Sequence, residues 1–438
     1  LMPYKLSILF LSFSIVSGQS LFNRWIGSEP FTGSARSTAM GNTHILNSSG
    51  SSNVRFNPAN LVSSESKIMF DVQMDRFGTF ERWSMPVQDF FGDFLTNADY
   101  VANEFHHYGF RGGLSASTKL LGMGKVGFGF HYSPLTHFTY YYSEEVRGRY
   151  QTEDWEYASK DPIVGYQNLS TEGALMVSSL GGGMQISVIG DIDLSLGVAI
   201  NFIQSTEITD RVEVEALYSD LTNLSEFPDI YQTTNISESD FITLSTKWKL
   251  NSNLIISSAW ADHAKDKTDD FSWIIDSTNG LLQYWDSSTN SENTIYGIQG
   301  MSYYKPEVWS LAFNYLTDSN QAMTIGFEFN LVLYNESDIL KDYRIYKFGF
   351  EHLTQMGTPI RAGLTYQTPR LSTMSPISMF TFGTGKTIGN LDINASGTYC
   401  FHSFQYPDLF PIEGDVRPDY DLVRESQFHL QLGLYYTF

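Results

Sequence analysis

From Lys67 to the terminal Phe438, segment after segment of this chain changes polarity at every second residue. A period of two is the pattern of a strand whose two faces meet different surroundings. In IMFDVQMD, Ile68, Phe70, Val72 and Met74 share one face, and Asp71, Gln73 and Asp75 share the other. In MTIGFEFNL, Met323, Ile325, Phe327, Phe329 and Leu331 oppose Thr324, Gly326, Glu328 and Asn330. One face is fully apolar while the other carries small and charged residues, as in a wall between lipid and a polar lumen. The last strand, FHLQLGLYYTF, carries the longest apolar stripe: Phe428, Leu430, Leu432, Leu434, Tyr436 and Phe438. On the edge of a soluble sandwich such a stripe would invite aggregation.

Alternating segments begin near Lys67, His107, Lys125, Glu172, Leu194, Phe241, Leu254, Val308, Met323, Tyr343, Ile360, Ile377, Leu391 and Gln427. Short turns at 121–124, 190–193, 251–253 and 388–390 join hairpins, and long polar loops at 78–104, 134–171, 206–239, 261–293 and 403–425 separate them. This alternation of connection length predicts an all-β fold, a transmembrane antiparallel β-barrel of about 14 strands with its short turns in the periplasm. The stretch 294–304 also alternates. Because both termini belong on the periplasmic side, the strand count must be even, so it is merged with Val308–Tyr315 as one strand broken near Pro306, with sixteen strands as the alternative. A mean hydropathy of -0.20, with 15% aromatic and 17% charged residues, agrees, since lipid-facing and lumen-facing side chains cancel in the average.

Several functions are disfavoured. A net charge of -21 lacks the basic footprint that nucleic acid requires. The acid-rich stretches 207–238 and 262–292 read as solvated loops, without the ligand spacing of a metal site. The single Cys400 excludes an intramolecular disulfide and a Cys-rich metal centre. The nine histidines are scattered and no nucleophile motif accompanies them, so neither an enzyme nor a cofactor is expected.

The opening residues have a basic start at Lys5, an apolar run from Leu6 to Val16 and small residues before Gln19. They predict a signal peptide over 1–18, cleaved after Gly18, because the run is too short to span a bilayer, which takes about 20 residues. No later run is long enough for a membrane helix, so the expected location is the outer membrane of a Gram-negative bacterium.

Between this peptide and the barrel, 67–438, the segment 19–66 is rich in Ser, Gly and Asn and lacks alternation. Its run SARSTAMGNTHILNSSGSSNVRFNPANL, with Ala39-Met40-Gly41 and then Asn57-Pro58-Ala59 before the first strand, resembles the N-terminal hatch of the FadL-like long-chain fatty acid transporter family, and equally that of its PorV/PorQ-type relatives. It departs from that pattern at the bulkier His44 to Leu46. KVGFGFHYSP, 125–134, looks like the family's third strand. Pro58 fixes its own φ and biases Asn57 to an extended conformation, so the NPA motif is either a rigid corner between plug and wall or an ordinary turn.

The resemblance implies an N-terminal hatch (plug) inside the lumen, a hydrophobic small molecule held above it, and sideways exit beside a kinked third strand. Gly127 and Gly129 are candidates for that kink, or else make room for the plug. Alternation places Arg111, Lys119, Lys247, Lys347 and Arg361 in the lumen, to receive a ligand carboxylate or to pair with Asp71, Asp75, Glu328 and Glu351 as filling. Phe90, Phe91, Phe94, Phe138, Tyr140 and Tyr142 would be exposed, either for capture or as an interfacial girdle. Expected partners are outer-membrane lipids and the barrel-assembly machinery, which reads the terminal Phe438. The alternative role is a PorV-type barrel handling secreted proteins in type IX secretion.

Overall fold

The computed structural model describes residues 27, 33–62, 67–120, 124–147, 162–189, 192–218, 230–234, 238–265, 275–276, 281–282, 304–317, 322–334, 340–370, 374–406, 409 and 421–438. The expected signal peptide and its cleavage site, and residues 294–303, lie outside these. The body is one closed barrel of strands β1 (Lys67–Gln88), β2 (Phe94–Leu120), β3 (Gly124–His137), β4 (Ala174–Ile189), β5 (Ile192–Ser205), β6 (Ser239–Lys249), β7 (Leu254–Ala261), β8 (Glu307–Leu316), β9 (Met323–Leu333), β10 (Tyr343–Leu353), β11 (Pro359–Gln367), β12 (Ile377–Ile388), β13 (Leu391–Tyr406) and β14 (Asp421–Thr437). Neighbours pair antiparallel in chain order, and β1 closes on β14 from Met69↔Thr437 to Ser84↔Leu422. Closure pairs the strand edges around the wall, except between β2 and β3 beyond Gly112↔Tyr132, and in a membrane an unsatisfied backbone group costs several kcal/mol. Among the described residues no helix is long and apolar enough to cross a membrane.

The alternation sorts as a barrel wall demands. Ile68, Phe70 and Met74 are 53%, 45% and 58% exposed on the outside, whereas Asp71 and Gln73 are fully buried within. Away from the short turns the outer face becomes mixed, with charged residues between aromatics such as Phe80 and Phe401. On the outer face, Met74 of β1 gives way to Arg76 and Arg82, Tyr108 of β2 to His106 and Glu104, and Phe428 of β14 to Ser426 and Arg424.

Much of what the sequence suggests as long loops is strand there. β1 and β2 continue as a paired hairpin to a turn at Asp89–Asp93. Four further segments, Tyr140–Arg147, Ile163–Glu172, Ile208–Ala216 and Ile230–Thr234, form a separate sheet in that order. Tyr304–Lys305 pairs with Ala264–Lys265 outside the barrel, and β8 starts after Pro306. Trp83, Tyr140, Tyr142, Tyr343, Phe404 and Tyr406 belong to one buried cluster that roofs the barrel. Of the aromatics expected to be exposed, Tyr140 and Tyr142 are therefore buried in this cluster with the wall, and Phe138 is buried in a second one with Leu135, Leu175 and Phe241. Phe90 and Phe91, at 98% and 86%, are exposed at the hairpin tip.

Candidate functional site: the hatch and the lumen above it

Residues 33–62 fill the lumen as three short helices, α1 (Ala35–Ala39), α2 (His44–Asn47) and α3 (Asn53–Phe56), with 3-10 turns at Gly50–Ser52 and Pro58–Leu61. Pieces this short do not hold in water alone. Local caps help, since Ser34 Oγ accepts from the Ser37 amide at 3.2 Å, but the wall supplies most of the partners.

Gly41 sits at φ +69 with its amide donating to Thr381 Oγ1 at 2.8 Å and its carbonyl accepting from Thr365 Oγ1 at 2.7 Å. A Cβ there would overlap the Phe348 carbonyl. Asn57 is fully buried at φ -154, and its amide group donates to the Ile45 carbonyl at 2.6 Å and Ser257 Oγ at 2.9 Å. Pro58 opens the turn that follows, and the Ala59 amide donates to Ser245 Oγ at 3.0 Å. The NPA motif is thus a corner bonded to β6 and β7.

The wall answers the hatch with glycines. A Cβ on Gly127 would strike the Leu61 carbonyl, one on Gly129 would reach Val54 Cγ2 at 2.6 Å, and Gly183, Gly197, Gly349 and Gly363 clear Pro58, Ala59, Met40 and Gly41 in the same way. Around Gly127 and Gly129 the pairing of β3 is continuous on both sides. Of the two alternatives for these glycines, the contacts match room for the plug, and no register shift falls at either. The register shift of β3 falls between Pro134 and Thr136. In addition, β3 leaves β2 beyond Gly112↔Tyr132, so that above this point β2 pairs with β1 alone.

Three of the five nominated lumenal cations are engaged, and Lys119, at the short-turn end of β2, is exposed. Arg111 is fully buried on Asp75 at 2.5 Å, which also meets His429 Nε2 at 2.8 Å. Lys347 pairs with Glu328 at 2.7 Å, whose other oxygen accepts from the Ile45 amide of α2 at 2.8 Å. Arg361 Nε donates to Glu351 at 2.6 Å, and Glu351 also receives Arg36 of α1 at 2.7 Å and 3.0 Å. Two of these pairs staple the hatch to the wall. Lys247 makes no ion pair among the described residues and lies on β6 two positions beyond Ser245, on the short-turn side of the Pro58–Leu61 turn.

Between hatch and roof lies an open-mouthed cavity of about 210 Å³. Its floor includes Ile45 and Phe56, its walls Leu135, Phe241, Val308 and Ile345, and its polar lining Lys347, Glu328, Arg55 and Lys305. Arg55 donates to Ser133 Oγ at 3.0 Å and the Pro134 carbonyl at 2.9 Å, and Lys305 lies 4.3 Å from the Phe241 ring centroid. Neither cation was singled out by alternation: Arg55 lies on the irregular hatch and Lys305 next to a proline.

A closed 14-strand barrel, apolar outside, polar inside and plugged by its own N-terminal segment, is a membrane barrel of the outer-membrane type. No family model matches the chain. No curated protein matches it either. Solved structures do: a Pseudomonas aeruginosa FadL homologue, 12% identical with a TM-score of 0.56 over 94% of this chain and 99% of that one; the P. putida toluene transporter TodX, 11% identical at 0.51 over 93% and 99%; and the CymD monoaromatic hydrocarbon channel, 9% identical at 0.50 over 94% and 99%. The chain has a FadL-like fold.

Proposed function

We propose that the barrel passes small hydrophobic compounds across the outer membrane, holding them between roof and hatch and releasing them sideways through the β2–β3 seam. The carrying observation is the cavity. Apolar side chains make up half of its lining, and Arg55, Lys305 and Lys347 among the polar half suit a ligand with an anionic head and an apolar body. The names of two fold neighbours, a toluene transporter and a monoaromatic hydrocarbon channel, point to the same class. The seam supports the exit route, because Leu135, at the register shift of β3, also lines the cavity. Outer-membrane lipid would surround the apolar band, and the barrel-assembly machinery would read the strand ending at Phe438. A role in handling secreted proteins draws on a different feature, the projecting hairpin with Phe90 and Phe91 bare at its tip.

Native mass spectrometry of detergent-purified protein, followed by solvent extraction, is expected to find a bound fatty acid or hydrocarbon. Val308→Trp, which fills the cavity wall, is expected to lower its occupancy and hydrocarbon uptake about tenfold, the effect of roughly 1.4 kcal/mol. Unchanged uptake in V308W, with only secreted proteins co-purifying, would reject passage in favour of secretion.

A further inference from the structure

The β2–β3 seam is bounded at both ends. Its lower end, toward the short turns, is the last rung of the ladder, Gly112↔Tyr132. Continued upward, that register would set Arg111 opposite Ser133, Gly109 opposite Leu135 and His107 opposite His137. The rungs are missing there, yet at the last of these positions the strands meet again, because the rings of His107 and His137 touch edge to face with centroids 4.6 Å apart. His107 in turn stacks on Phe77 of β1 at 4.5 Å, and Phe77 on His429 of β14 at 4.2 Å. Phe77 is the register partner of both. One row of rings thus crosses β14, β1, β2 and β3, and its last contact stands where the ladder has lapsed.

Between that rung and that contact the seam adjoins the cavity. Gly109 carries no side chain, and Leu135, its counterpart on β3, lines the cavity wall. Below them Arg111 is held by Asp75, while Ser133 Oγ and the Pro134 carbonyl are held by Arg55 of the hatch. From Arg111 to His107 the chain climbs four residues, about 13 Å of strand. β3 is drawn inward along this stretch, with Ser133 to Phe138 all buried, and Gly27, ahead of the hatch, lies against Thr136 on the β3 side. β2 stays in the wall and exposes Phe110 and Tyr108 outward. A compound passing from Leu135 to that apolar outer face meets no backbone rung, only the ring contact of His107 with His137. Rings turn about χ1 and χ2, so this contact can part while every rung of the ladder stays in place.

We propose that His107 and His137 are the bar of the exit: their rings part to let the compound through, and the width they clear limits what passes. The inference rests on sideways release through this seam and adds the residues that set its selectivity. Phe77 is clamped between His429 and His107, so it backs His107 from the β1 side and leaves His137 as the ring that swings. Both histidines act as positioning residues, since the anionic head is met elsewhere, by Arg55, Lys305 and Lys347 of the cavity. An alkyl chain is narrower than a fused ring system, so the bar favours chains and single rings over fused polycyclic compounds.

The test is transfer of laurate and of pyrenebutyrate from the full-length protein in nanodiscs to phosphatidylcholine vesicles. Native mass spectrometry counts the probe held at equilibrium, and heat-modifiable mobility confirms a folded barrel. His137→Ala is expected to speed pyrenebutyrate about fivefold, the weight of one ring contact, and laurate less than about twofold, with occupancy unchanged. His107→Phe keeps a ring against Phe77 and His137 and is expected to keep the wild-type ratio of the two rates. His107→Cys with His137→Cys, joined by a short bis-methanethiosulfonate linker, is expected to stop both probes until a reductant cuts the link. The wild-type ratio in H137A, or undiminished transfer through the linked protein, overturns the bar and leaves passage standing. A wild type that holds and transfers neither probe overturns passage, and the bar with it.

Discussion

Gly41→Val is expected to unseat the hatch while leaving the barrel folded. The position combines two demands that valine cannot meet. Its φ of +69 lies in the left-handed region, strongly disfavoured for a β-branched residue. A Cβ would also run into the Phe348 carbonyl, which belongs to a paired strand and cannot step aside. The two bonds through Thr381 and Thr365 would break with the displacement. Gly197→Leu is an independent probe, since its side chain would occupy the place of Ala59 at the other end of the hatch. Both variants are expected to sensitise cells to large antibiotics that the wild type excludes and to raise single-channel conductance several-fold, with unchanged heat-modifiable mobility. Wild-type conductance in both would mean that the segment 33–62 does not obstruct the lumen.

The wall was legible in the sequence because a barrel strand has one rule, out then in, and each of the fourteen alternating segments found from Lys67 onward corresponds to one barrel strand. The starts of β2 and β14 were read late, near His107 and Gln427 instead of Phe94 and Asp421. Beyond the bilayer the outer face no longer has to be apolar, so the period-two signal fades although the ladder continues, as at Arg82 and Glu104. The roof was missed for the same reason: in Tyr140, Tyr141 and Tyr142 all three residues are aromatic, and only packing sets Tyr141 outside. Alternation also assigns Arg111, Lys347 and Arg361 to the inner face, where all three are buried, without saying whom they serve. Their partners Asp75, Glu328 and Glu351 are fixed by strand register and hatch position, which no local pattern encodes. The glycine signal extends beyond Gly127 and Gly129. Read over the whole lumen face, Gly183, Gly197, Gly349 and Gly363 trace the footprint of the plug.

Glu351→Ala is expected to cause a large loss of stability, about 3–5 kcal/mol, the cost of leaving a buried charge without its partner. The carboxylate receives Arg361 from the wall and Arg36 from α1, so its removal leaves two guanidiniums facing each other. Arg361 keeps Asn394 Oδ1 at 2.7 Å and the Thr384 carbonyl at 3.2 Å, neutral acceptors that hold its geometry without offsetting its charge. Arg36 is less confined, with 30% of its side chain exposed, so it will swing into water and take α1 with it. The damage should therefore come mainly from Arg361. Adding Arg361→Met should recover most of the loss, because a neutral side chain of similar length then fills the place where the charge stood unpaired. Arg82→Ala, on the exposed pair with Asp99, is the matched control and is expected to cost under about 1 kcal/mol. Urea titration of the three variants, read by the heat-modifiable band, measures all of these. If E351A and R82A lost equal amounts, the lumenal pair would be ornament on a hatch held by backbone bonds alone, and Arg361→Met in the wild type would then be harmless as well.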